Sequence, residues 1–102
     1  MTRVAWTARA RRIHNQIVSY IAETDPAAAL KVGEKVIVAG ESLGDHLTGR
    51  PGRYPGTYEK SVSDVNYILH YRVRRVAGED VVEILDIVHS RRNWLPGQLP
   101  PR

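Results

Sequence analysis

The stretch that most limits what this chain can become is NYILHYRVRRVAGEDVVEILDIVHSRRNW, residues 66–94. Its two arms, residues 67–74 and 81–88, are dense in Val, Ile, Leu and Tyr, the side chains that fit a pleated, half-buried surface. Ala77-Gly78-Glu79 between them predicts an antiparallel hairpin closed by a loop rather than a tight two-residue turn. Alternation then sets the faces. With Val73 opposite Val82, Tyr71 meets Ile84, Leu69 meets Asp86 and Tyr67 meets Val88, a mostly apolar face that needs a cover. The reverse face carries Ile68, His70, Arg72 and Arg74 against Val81, Glu83, Leu85 and Ile87, with Arg72 and Glu83 as a favourable cross-strand pair. Asp86 fits the apolar set badly; a slip of one residue would turn it outward beside His70.

Upstream residues supply the cover. Residues 3–6 read as a short first strand, and Thr7 offers an N-cap hydroxyl for a helix over 8–22. Ala10, Ile13, Ile17, Tyr20 and Ile21 recur there at helical spacing. Asp25 and Pro26 suit the cap and first position of a second helix, whose stripe is Ala29, Val32, Gly33, Val36, Ile37 and Gly40, with Leu43 near its end. Gly33 and Gly40 each cost about 1 kcal/mol of helix propensity relative to Ala, tolerable where the first helix must approach closely. Residues 44–56 hold four Gly and two Pro and form no regular element. Residues 57–62 are a strand candidate joined to the hairpin by a turn at Ser63-Asp64. The order β-α-α-β-β-β predicts an α+β fold, an antiparallel sheet with an N-terminal helical hairpin packed on one face. It forms one domain over 1–96, with a Pro-rich disordered tail over 97–102. The uncovered face is where function is expected.

Fifteen Lys and Arg against eleven Asp and Glu leave a formal charge of +4. That suits an acidic partner or a nucleic acid, and suits plain solubility equally. The absence of Cys excludes disulfide and thiolate chemistry and agrees with a cytoplasmic location. No window approaches the roughly 20 apolar residues of a membrane span, and the N-terminal residues do not read as a secretory signal. The four His residues lack metal-ligand spacing, and no phosphate loop, nucleophile elbow or dinucleotide fingerprint is present. No cofactor is expected.

The segments VAWTARA, IVSYIAETDPAAA, GRPGRYPGTYE, NYILHYRV and VVEILDIVHSRRNW, in this order and spacing, resemble the RelE/ParE superfamily of bacterial type II toxins. The resemblance covers about residues 4–96 and is closest to the ParE-like branch. It implies a growth-arresting toxin held in a hetero-oligomer by a small antitoxin, ParD-like or similar, whose acidic C-terminal segment would complement a positive surface. Two activities occur in such a superfamily. ParE-like members are associated with poisoning DNA gyrase by binding; RelE-like members cleave mRNA in the ribosome.

Ribonucleolytic transfer needs a base, an acid and a cation for the phosphorane charge. Where RelE-like nucleases carry a middle-strand Arg, this chain has Tyr67-Ile68, and Tyr58 stands where the family often has another Arg. His89, Lys60 and Arg72 are the catalytic candidates under the nuclease reading. Two of them have a simpler reading: His89 as a hydrogen-bonding strand end, Arg72 as the partner of Glu83. Arg53, Arg91, Arg92 and Trp94 are the candidates for contact with a target, exposed cationic forks beside one aromatic ring. The missing cation favours a binding toxin over a nuclease.

Overall fold

The computed structural model describes residues 2–90. Its elements are β1 (Arg3–Trp6), α1 (Ala8–Ala22), α2 (Pro26–Ser42), β2 (Arg50–Pro51), β3 (Tyr58–Ser61), β4 (Tyr67–Val76) and β5 (Glu79–His89). The strands form one sheet in the order β1-β5-β4-β3-β2. The α+β architecture is the expected one, with the helical hairpin ahead of the long strands. The sheet is mixed, however, because β1 runs parallel to β5. Two antiparallel helices return the chain to the end where β1 finished, so β2 runs against β1, and the three reversals from β2 to β5 leave β5 running with it.

Thr7 is the joint between sheet and helices. Its amide donates to Ile84 O at 3.1 Å, continuing β1 by one bond. Its hydroxyl accepts from Ala10 N at 3.0 Å, capping α1, and donates to Leu85 O at 3.2 Å. At the other helix start, Asp25 Oδ1 accepts from Ala28 N at 3.0 Å, with Pro26 following where no amide is needed. Ala10, Ile13, Val36 and Leu43 from the helices meet Leu69, Tyr71, Val82, Ile84 and Ile87 from the sheet in the buried core. Two residues of the expected stripes lie outside it: Tyr20 is 76% exposed and Ile37 38%. Both sit at the margin of their helix's inner face, beyond the reach of the sheet.

The two helical glycines have different partners. A Cβ on Gly33 would come 3.0 Å from Val18 Cγ2, so this glycine does let the helices approach. At Gly40 the intruder is Trp6, whose ring atoms would lie 2.3 and 2.5 Å from a Cβ. The second glycine makes room for β1, not for α1.

The hairpin differs from expectation in two places. Val76 pairs with Glu79, leaving a two-residue turn in which Ala77 (φ 51°) and Gly78 (φ 81°) are both left-handed. That is the type I′ pattern whose twist matches the flanking strands; Ala is an unusual first residue for it, which hid the turn. The register is as expected for Val73↔Val82, Arg72↔Glu83 and Tyr71↔Ile84, then shifts between His70 and Tyr71, so that His70 meets Asp86 and Leu69 meets Ile87. Leu85 is the extra residue of this β-bulge. Beyond it the faces of β5 exchange: Ile87 joins the core, while Asp86 and Val88 turn to the other side. The alternative in which Asp86 lies outward beside His70 is the one realised.

Among the described residues, no helix is long and apolar enough to cross a membrane.

Candidate functional site

The middle of the sheet face away from the helices is built of charge, with Val81 towards one end and Ile68 and Val88 at the other. Arg72 Nε lies 2.6 Å from Glu83 Oε1, and Arg74 Nη1 lies 3.1 Å from Glu83 Oε2. One carboxylate therefore holds two guanidinium groups from alternate positions of β4. Further along, the register aligns a lateral row across four strands: Arg50↔Glu59, Glu59↔His70 and His70↔Asp86. Arg50 Nη2 is 3.1 Å from Glu59 Oε1. The His70 ring lies between two carboxylates, with Nε2 3.5 Å from Glu59 Oε2 and Nδ1 2.8 Å from Asp86 Oδ1. Arg9, from the first turn of α1, closes the row at 3.9 Å from Asp86 Oδ2. The bulge creates this arrangement, because without Leu85 the Asp86 carboxylate would point into the core.

The helix-side face carries the aromatics. Tyr58 and Tyr71 stack with ring centroids 5.4 Å apart. The Tyr71 hydroxyl donates to Thr48 O at 2.7 Å, tying the irregular 44–56 segment to β4. Burial, and secondarily the neighbouring Tyr58, push the Tyr71 phenol above its ordinary 10.0. At the hairpin's open end Tyr67 meets His89 edge-on, centroids 5.3 Å apart.

The sequence matches the family described as "ParE toxin of type II toxin-antitoxin system, parDE" over residues 4–94. The chain belongs to this ParE toxin family. It is 38% identical over 93 residues to a Sinorhizobium fredii protein named "Putative toxin Y4kP", covering 90% of this chain and 92% of that one. A solved structure of the chromosomal ParDE toxin–antitoxin system from P. aeruginosa has the same fold. It aligns with a TM-score of 0.74 at 22% identity, covering 87% of this chain and 96% of its own. Membership of the family carries with it an antitoxin partner.

In this ParE-family chain the side chains singled out as catalytic candidates do not converge. Arg72 lies on the charged face, bonded to Glu83. Lys60 stands opposite Leu69 and His89 opposite Tyr67, which puts both on the helix side. Along β4, Arg72 and Tyr67 are separated by five residues, about 17 Å of strand. Arg53 is exposed on the 44–56 segment. Arg91, Arg92 and Trp94 lie outside the described residues, as does the 97–102 tail. Among the described residues no group of three or more His, Asp or Glu could hold a metal ion. Of the Arg50–Glu59–His70–Asp86–Arg9 row, only Asp86 beside His70 was anticipated, as the alternative register. Its sequence signal was the misfit of Asp86 in the apolar register.

Proposed function

We propose that this ParE-family toxin acts by binding its target, with DNA gyrase as that target, and that a ParD-like antitoxin with an acidic C-terminal segment neutralises it. The observation that carries this reading is the distribution of the candidate catalytic groups. Phosphodiester cleavage needs base, acid and cation around one phosphorus atom, and here Lys60 and His89 face one way while Arg72 faces the other. The cations of the charged face are engaged as well: Arg72 and Arg74 on Glu83, Arg50 on Glu59. Tyr67-Ile68 supplies no charge where a nuclease of the superfamily would place an Arg. The ParDE system among the similar structures supports the choice of antitoxin.

The test is inducible expression without antitoxin, with a DNA-damage reporter and transcript integrity followed in the same cells. Growth arrest with an induced reporter and intact transcripts is expected. Cut transcripts with a silent reporter would replace the gyrase reading by that of a ribosome-dependent mRNA endonuclease. Unimpaired growth would reduce the chain to an antitoxin-binding protein.

A further inference from the structure

Helix α1 breaks a local electrostatic rule. Its sequence, ARARRIHNQIVSYIA, contains three Arg and no Asp or Glu. All three Arg fall within its first five residues, where the partial positive charge of a helix N-terminus disfavours cations. Arg9 is compensated by Asp86. Among the described residues, Arg11 and Arg12 make no ion pair, and both are exposed. They are not isolated. Arg11, Arg12, Asn15, Gln16 and Ser19 recur on one side of the helix and, together with Trp6, line an open groove of about 720 Å³. On α2, the Glu41 carboxylate is turned to the Trp6 indole, accepting from Nε1 at 2.7 Å.

The chemistry of this face selects its partner. Apart from the small Ala8, its exposed side chains are guanidinium, amide and hydroxyl groups, and the one aromatic in the lining, Trp6, is half-buried and tied to Glu41, whereas a protein interface is centred on apolar or aromatic side chains free to be covered. Interfaces with nucleic acid are polar and strongly positive. Arg, Asn, Gln and Ser are the side chains that bind phosphate oxygens and base edges. The helix spans 15 residues, about 22 Å. The B-form major groove admits such a helix, whereas the deep, narrow major groove of A-form RNA does not.

We propose that the outward face of α1, through Arg11 and Arg12 with Asn15, Gln16 and Ser19, is a docking surface for the phosphate backbone of double-stranded DNA. This surface is independent of the gyrase reading and requires no catalysis.

The experiment is fluorescence anisotropy of the purified full chain with a labelled 24-base-pair duplex, titrated at several salt concentrations between 50 and 200 mM (roughly the range over which phosphate contacts are resolved by counterion release). Binding that weakens steeply with salt is expected. The Arg11→Gln/Arg12→Gln variant should lose affinity about tenfold and flatten the log–log salt slope by about 1.8, the value for two phosphate contacts. An Arg74→Gln/Arg75→Gln variant lowers net charge equally at the hairpin tip and should bind as the unaltered chain does. Circular dichroism melts verify that both variants are folded. Equal losses in the two variants, no loss in either, or no duplex binding would overturn the proposal. So would tighter binding of single strands, or competition by polyglutamate as effective as by duplex.

Discussion

Replacing Gly40 by Ala tests whether the seat of Trp6 governs the helical hairpin. On helix propensity alone the change should stabilise the chain by about 1 kcal/mol. The structure predicts the opposite. A Cβ would come 2.3 Å from Trp6 Cζ2 and 2.5 Å from Cη2, so the ring must retreat by about 1.5 Å to reach ordinary contact. Trp6 is anchored by the bond to Glu41 and by β1, which is paired with β5. It cannot move without disturbing one of them. Overpacking of this kind costs about 1–3 kcal/mol. After the propensity gain of about 1 kcal/mol, a net destabilisation of up to about 2 kcal/mol is expected from urea unfolding followed by far-UV circular dichroism. Gly33→Ala is the internal comparison: its Cβ needs only a few tenths of an ångström from the Val18 methyl at 3.0 Å. That variant should be neutral or more stable by up to about 1 kcal/mol. Trp6→Leu completes a double-mutant cycle with Gly40→Ala. If the penalty at position 40 persists in the Trp6→Leu background, or if Gly40→Ala gains the full propensity term of about 1 kcal/mol over the parent, the reasoning fails.

Two further outcomes follow from the hairpin and its stacked tyrosine. Ala77→Gly should raise stability by about 0.5–1 kcal/mol, because the left-handed conformation costs Ala roughly 1–2 kcal/mol, and the extra unfolded-state freedom of Gly returns part of it; a lower urea midpoint would contradict the turn. The raised folded-state pKa of Tyr71 means that its contribution is fully present below pH 10.0, the ordinary phenol value, and is lost as pH rises through the folded value, because the unfolded chain releases its proton first. Urea midpoints measured between about pH 9 and 11 should fall more steeply for the parent than for Tyr71→Phe, and identical profiles would remove the cause.

Much of this fold could be read from local chemistry. The helix limits followed from Thr7, Asp25 and Pro26, whose capping roles need no tertiary information. The pairing of Arg72 with Glu83 and the apolar set from Val73 to Ile84 followed from strict alternation. Alternation stops being informative at Leu85, since a bulge is one residue without a partner and leaves no mark in composition. The only trace was an acid in an apolar row. The tight turn was missed because Ala77 adopts a conformation usually left to Gly, Asn or Asp. The direction of β1 depended on how the helical hairpin returns the chain, which four residues cannot encode. The candidate site suffered most. Its lateral row joins five elements through the bulge and through a two-residue strand at Arg50–Pro51, neither of which periodicity can reveal.

The parallel pairing of β1 also bears on the order in which this protein becomes itself. The β4–β5 hairpin closes over two residues, whereas the Thr7 hydroxyl reaches Leu85 O across a sequence separation of 78. Closing a loop of that length costs about 4 kcal/mol of chain entropy before any contact rewards it. The first strand to be synthesised is therefore the last to be paired, and pulse-labelled amide exchange should find the Thr7 amide, which donates to Ile84 O, protected after the hairpin. Until then the edge of β5 and the seat of Trp6 on Gly40 stand open together. Thr7 makes that late step a single event: the hydroxyl that caps the first helix also bonds the bulge in the last strand.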